Sequence, residues 1–312
     1  MSIGALDAPA EAAAEIDEVS AADLELLGTS LATHGRVVVA FSGGADSALL
    51  AYAATAELGP ERAHCVTAVS ASLAPEELDD CAALAREWGL RWSTVATDEL
   101  DVPAYAANGL DRCYHCKSEL MDALLPIAER ESATVVLGVN LDDLGEHRPG
   151  QSAASERGAS FPLVDAGLTK GRVRALSREL GLRTFDKPAA ACLASRVPHG
   201  TAVTVELLGQ VARAESALRR LGFRELRVRH YDDCARIELA EAELPLALEL
   251  RESVTRAVRA SGYRYVTLDL AGLRSGNLAR AALDEAARAG EAAVADETAC
   301  STGTVALRRG SR

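Results

Sequence analysis

The chain has 312 residues, 48% hydrophobic and 25% charged, with a formal net charge of −13. That size holds one large or two modest domains around a full core. No apolar run is long enough to span a membrane, the N-terminus lacks the basic start and apolar stretch of a secretory signal, and so acidic a chain is a poor generic binder of phosphate polymers. The expectation is a cytoplasmic protein with neither membrane nor nucleic acid as partner. The seven cysteines are an odd number and argue against a disulfide framework; Cys65, Cys81 and Cys234 read as small buried hydrophobes.

Residues 1–30 hold seven acids and no lysine or arginine, which suggests a frayed start leading into a helix near Ala21–Thr33. Arg36–Phe41 then reads as a buried strand, Ala45–Leu58 as a helix and His64–Ser70 as a second strand. Pro75–Trp88 is helical with proline at a favoured first position. Arg91–Ala96 is a third strand, Asp111–Glu131 a long helix and Thr134–Val139 a fourth strand. This alternation predicts an α/β domain with a parallel sheet and helices on both faces. The style changes after Lys187–Pro188. Val203–Leu221 and Glu241–Ala260 read as helices, Glu225–Tyr231 and Ala235–Leu239 as a hairpin turning at Asp232–Asp233, and Tyr263–Leu270 as a strand. The expected organisation is a mobile acidic segment (1–23), the parallel-sheet domain (24–187), a smaller α+β domain (188–290) and a mobile tail (291–312).

The stretch FSGGADS, residues 41–47, joins the first strand to the first core helix. Adjacent glycines allow close backbone approach and positive φ. Successive N–H groups at a helix N-terminus make a nest for phosphate oxygens. An ordinary βα turn capped by Asp46 or Ser47 is the plainer alternative. The pattern lacks the lysine of a Walker A loop and resembles the pyrophosphate (PP) loop of the ATP pyrophosphatases, whose domain is of the adenine nucleotide alpha hydrolase type. That resemblance implies that Ser42, Gly43, Gly44, Asp46 and Ser47 hold the β- and γ-phosphates of ATP and their Mg²⁺.

GVNLDD, residues 138–143, closes the fourth strand. Groups at carboxyl ends of strands serve the ligand in open α/β sheets, so Asp142 is a candidate metal-organising acid, with a helix cap as the alternative. Arg148, in the HRPG that follows, is a candidate phosphate clamp.

Cys113 and Cys116 form a CxxC in DRCYHCK, and Cys192 stands apart in AAACLASRVPHG. A lone CxxC suits redox chemistry, half a zinc site or accident. No second CxxC completes a four-cysteine zinc site. Three thiolates can instead ligate three irons of a [4Fe–4S] cluster and leave the fourth open. Arg227 and Arg229 in LRVRHY share a strand face because side chains alternate, and paired guanidinium groups suit a nucleotide phosphate; a solvated charged face is the alternative. Arg196 is a weaker candidate for the same anion site.

FSGGADS, RCYHCK, CLASRVPHGT, LRVRHYDDCARIEL and YRYVTLDLAGLRSGNL together look like the LarE family, over roughly Leu24 to Leu283. The family departs from this chain at Asn277-Leu278, where its members commonly carry methionine-asparagine. The resemblance implies an ATP-dependent sulfur transferase that builds the nickel-pincer nucleotide cofactor of lactate racemase. Its substrate would be pyridinium-3,5-biscarboxylic acid mononucleotide, one carboxylate being adenylated with release of pyrophosphate before sulfur displaces AMP. Family members use either one sacrificial cysteine or three cysteines holding a [4Fe–4S] cluster. With Cys113, Cys116 and Cys192 all present, the resemblance points to the cluster form, replenished by a separate sulfur donor. It further implies Cys192, Asp46 and Lys117 as catalytic residues and Arg227, Arg229, Arg196 and Glu215 around the substrate phosphate. A homo-oligomer is expected, a hexamer being the anticipated form. The competing readings are a tRNA thiolase, disfavoured by the acidic charge, and an amidating ligase like the NAD or GMP synthetases, which needs no cysteine trio.

Overall fold

The structure, a computed structural model, describes residues 10–145, 149–188 and 191–274. Its chain divides into two compact units. The first runs to Ala194 and takes in Ala202–Arg213; the second takes in Ser195–Thr201 and the chain from Ala214 onward.

The first unit holds α1 (Ala10–His34), β1 (Val37–Ala40), α2 (Ala45–Leu58), β2 (Ala63–Val69), α3 (Pro75–Glu87), β3 (Arg91–Ala96), α4 (Pro103–Ala106), α5 (Arg112–Glu131), β4 (Thr134–Leu137), α6 (Pro149–Glu156), α7 (Pro162–Asp165) and α8 (Lys170–Glu179). The strands form one parallel sheet in the order β3-β2-β1-β4, the α/β architecture expected. β1 is a continuous valine run because both its faces are covered. Val37 and Val39 pack with Leu27 and Leu31 of α1 and Leu49 of α2. Val38, pointing the other way, packs with Met121 and Leu124 of α5. Each such side chain contributes about 1.5–3 kcal/mol by leaving water. The chain runs outward from β1 through β2 to β3, then returns to β4 on β1's other side. Strand order therefore reverses between β1 and β4, and ligand crevices open at the carboxyl ends of such a pair.

The second unit holds the last part of α9 (Val205–Arg220), then β5 (Leu226–Tyr231), β6 (Cys234–Leu239), α10 (Leu244–Glu249), α11 (Arg251–Ala260) and β7 (Tyr265–Leu268). β5 and β6 are antiparallel, and β7 runs parallel to β6. The hairpin turns at Asp232, which adopts the left-handed φ of 50° that short polar residues tolerate. Val228 and Ile237 face a core with Leu218, Val254 and Val258. Arg227 opposes Glu238 and Arg229 opposes Arg236 on the other face.

Some expectations need correction. The single helix expected over Glu241–Ala260 is broken into a 3-10 turn, α10 and α11. Pro245 restarts the helix in its first turn, and Leu250, at φ −89° and ψ 15°, is the non-helical joint. The first helix starts at Ala10 instead of near Ala21. Cys65 and Cys81 are buried, but Cys234 is not; it begins β6 on the sheet's polar face. Helices α6, α7 and α8 have no counterpart among the expected elements. No helix among the described residues is long and apolar enough to cross a membrane.

Candidate active site

The Ser42–Ser47 corner links β1 to α2 at the carboxyl edge of the sheet. Gly43 has φ +68°, where a side chain would be strained, and a Cβ there would lie 2.9 Å from Cys81 Sγ. The Ser42 N–H donates to Ser47 Oγ at 3.2 Å, the two serine hydroxyls are 3.0 Å apart, and Ser47 Oγ donates to the Gly44 carbonyl at 3.1 Å. No side chain caps α2 at Gly44. An uncapped helix N-terminus beside two hydroxyls and a positive-φ glycine has the donors for polyphosphate oxygens.

Two lysines hold this corner from distant segments. Lys187 Nζ donates to the Gly43 carbonyl at 3.1 Å and pairs with Glu77 at 2.8 Å and Asp80 at 2.6 Å. Burial alone would depress its pKa, but the Asp80 and Glu77 carboxylates outweigh that and raise it. Lys170 Nζ meets Asp46 Oδ2 at 2.5 Å, and Asn140 Nδ2 donates to Asp46 Oδ1 at 3.2 Å. Asp142 accepts the Lys170 N–H at 2.8 Å, capping α8, while its own N–H donates to Asn140 Oδ1. Asp46 and Asp142 are thereby tied together across β1 and β4 through Asn140 and Lys170. The sequence reading named both acids and missed Asn140, Lys170 and Lys187, although the scarcity of lysine in this chain was an available signal. Arg148 lies outside the described residues.

Gly138, at the end of β4, lets that strand approach the loop. A Cβ on it would sit 2.7 Å from the Ser47 main-chain nitrogen. Gly138→Ala is therefore expected to cost about 1–3 kcal/mol by overpacking, seen as a lowered Tm with weakened ATP binding in calorimetry.

Cys113 and Cys116 occupy the first turn of α5, three residues apart on one side of the helix. Cys113 and Cys192 are exposed, and Cys116 is half-buried. Burial, then the charge of Cys192, pushes the Cys116 thiol up to about 12, with Lys117 opposing. Arg112, which opens α5 just before Cys113, donates to the Ala194 carbonyl at 2.8 Å and so ties the Cys192 segment to the helix turn that carries Cys113, Cys116 and Lys117. Among the described residues, no group of three or more His, Cys, Asp or Glu side chains converges tightly enough to ligate a metal as it stands. The donor chemistry nonetheless suits an iron–sulfur cluster: three soft thiols from a helix turn and a neighbouring segment. Gly150 of α6 lies close against α5, since its Cβ would meet the Cys113 carbonyl and Lys117 Cγ, each at 2.9 Å.

In the second unit, Arg196 pairs with Glu215 at 2.8 Å, and Arg229 pairs with Glu238 at 2.8 Å while donating to the Ser195 carbonyl. Glu215 also accepts the Val228 N–H. Arg227 is 8% exposed and has no hydrogen bond or ion pair with any described residue. Burial, then the like charges of Arg229 and Arg196, depresses its pKa. The sequence expected two equivalent arginines; one is committed to Glu238 and the other is available. Arg196 and Arg229 are each paired with a buried carboxylate, which leaves the Arg227 charge to be met by another group.

A family model described as NAD synthase matches residues 26–120. A pyridinium-3,5-bisthiocarboxylic acid mononucleotide synthase of Lactiplantibacillus plantarum is 41% identical over 244 residues, 78% of this chain and 88% of that protein. The chain belongs to that synthase's family, within the PP-loop ATP pyrophosphatases. The likeness extends to an uncharacterized protein of Synechocystis, 47% identical over 78% of this chain and 92% of its own. An uncharacterized protein of Methanocaldococcus jannaschii is 27% identical over 77% and 91%. The chain is thus an ATP-utilising enzyme of the PP-loop type, related to a family member that makes a pyridinium thiocarboxylic mononucleotide. Within the family fold, the NAD synthase match takes in the loop, the first three strands and the first turns of α5, and stops short of Cys192.

Proposed function

We propose that this protein is an ATP-dependent sulfur transferase acting on pyridinium-3,5-biscarboxylic acid mononucleotide, and that its thiocarboxylate product feeds the nickel-pincer cofactor of lactate racemase. One observation carries the reading: a single unit, built on one parallel sheet, bears both a PP loop joined to Asp142 and a neighbourhood of three thiols. An adenylating centre needs the first, and sulfur delivery to the activated carbon needs the second.

Ser42, Gly43, Gly44 and Ser47 bind the β- and γ-phosphate oxygens with the open N-terminus of α2. Asp46 and Asp142 would hold Mg²⁺, which neutralises the departing pyrophosphate when bound. A substrate carboxylate oxygen attacks the α-phosphorus, and the bond to pyrophosphate breaks. The resulting acyl-adenylate has AMP as leaving group in place of oxide, so a sulfur nucleophile can displace it and form the thiocarboxylate; the transferred oxygen leaves with AMP. Cys113, Cys116 and Cys192 would hold a [4Fe–4S] cluster that supplies the sulfur when bound, recharged by a separate donor. Lys117 offsets negative charge beside these thiols. Arg227, supported by Arg229, Arg196 and Glu215, binds the substrate phosphate. A homo-oligomer is the working assembly under this reading.

The test is incubation of the anaerobically reconstituted protein with ATP, Mg²⁺ and the mononucleotide, followed by pyrophosphate, AMP and product mass. The expected product is a thiocarboxylate. An amide formed with ammonium would instead support the amidating chemistry suggested by the NAD synthase likeness over residues 26–120. Arg227→Met supplies a further check: losing a charged hydrogen bond to phosphate should raise the mononucleotide KM about 10–100-fold. Because the folded protein carries Arg227's charge at a cost, Tm should hold or rise.

A further inference from the structure

A buried polar network beside the thiols has no part in the steps above. Glu99, 4% exposed, accepts at Oε1 from both Ser70 Oγ at 2.5 Å and Ser72 Oγ at 2.6 Å. Ser72 Oγ also lies 2.7 Å from the buried Tyr105 hydroxyl. Ser72 has one hydroxyl proton and gives it to Glu99, so the Tyr105 O–H must donate to Ser72. The Ser72 N–H donates in turn to Ser70 Oγ. The chain of donors therefore has one direction and fixes Ser72. The Ser72 carbonyl then accepts the Leu193 N–H at 2.9 Å, directly after Cys192.

A second anchor follows one residue on. Arg112, 5% exposed, donates to the Ala194 carbonyl at 2.8 Å and to Asn108 Oδ1 at 2.6 Å. It makes no ion pair with a carboxylate among the described residues, so its burial is not explained by charge pairing. Arg112 opens the same helix turn that carries Cys113 and Cys116. Leu193 and Ala194 are buried while Cys192 is exposed. The segment is thus pinned at a donor and an acceptor immediately beyond the cysteine, while Cys192 and the Ala191 before it are exposed. Apolar residues would fill this space at no loss of stability; a directed polar network is what sets position.

We propose that Glu99, Ser72, Tyr105 and Arg112 are positioning residues that hold the Cys192 segment against the first turn of α5, so that its thiol stands opposite Cys116. The inference rests on the reading that Cys192 works beside Cys116, in either the cluster or the sacrificial form.

The test uses the reduced, iron-free full chain. Stoichiometric diamide takes up the two electrons and two protons that a pair of thiols releases on forming a disulfide, and peptide mass spectrometry maps and times the bond. Wild type should form a Cys116–Cys192 disulfide. Glu99→Ala and Arg112→Gln should slow it about tenfold or more, the scale of a lost buried hydrogen bond. Glu99→Gln, which keeps the accepting oxygen, should restore the wild-type rate. If Glu99→Ala fails to fold, Tyr105→Phe, lacking one hydroxyl, carries the same expectation. Wild-type rates in the folded variants, or no such disulfide in wild type, would overturn the proposal. Normal capture in a protein that releases no pyrophosphate would defeat the sulfur-transferase reading and leave the positioning role standing.

Discussion

Replacing Cys192 with alanine will leave substrate-dependent pyrophosphate release standing and abolish thiocarboxylate formation. The two half-reactions draw on different groups. In the proposed reaction, adenylation falls to the Ser42–Ser47 corner, whose hydrogen bonds run to Asn140, Lys170 and Lys187. In the same proposal, sulfur delivery falls to the thiols. Removing the sulfur centre should lower product formation at least about a thousandfold, on the scale of deleting a nucleophile. Acyl-adenylate should accumulate or hydrolyse to AMP and starting acid. Coupled pyrophosphate release read beside product mass separates the halves. Cys113→Ala then distinguishes the two sulfur routes: the cluster route predicts loss of product and iron, while a sacrificial Cys192 predicts one full turnover.

Asp46→Asn will do the reverse and stop the reaction before pyrophosphate leaves. Asp46 is half-buried between Lys170 Nζ and Asn140 Nδ2. The asparagine keeps the volume but gives up the charge, both towards Mg²⁺ and towards Lys170. A positioned charge aimed at a developing leaving group is worth about 10²–10³ in rate, and that loss is expected in kcat for pyrophosphate release. Because Lys170 also opens α8 and is fixed there by Asp142, the fold should survive, as an unchanged circular dichroism melt would show. A melt that collapses with the rate would recast Asp46 as a structural ion pair.

What could be read from the sequence follows how local each feature is. β1, the corner and α2 are contiguous: a valine run, two glycines and an apolar helix announce themselves within twenty-odd residues. The lysines that steady the corner do not. Lys170 stands 124 residues from Asp46, and Lys187 stands 144 from Gly43. Nothing short of the sheet order brings those segments together. Arg227 and Arg229 were legible through strand alternation, but their inequivalence was not. It depends on a diagonal choice across the hairpin: Glu238 stands opposite Arg227 in the register, yet its carboxylate pairs with Arg229 and Arg236. The Glu99 network was missed for a related reason: serine, tyrosine and glutamate look like surface residues until β2, α4 and the Leu193 segment close over them.

The chain passes from one unit to the other after Ala194, returns after Thr201 and leaves again after Arg213. No single peptide bond therefore divides this protein into its two parts. A nick after Thr201 would leave the N-terminal fragment carrying residues 195–201 of the second unit and the C-terminal fragment carrying residues 202–213 of the first. Fragments cut there would each lack a piece of their own unit. Chimeras made between relatives face the same rule: a crossover inside residues 195–213 mixes the parentage of both units.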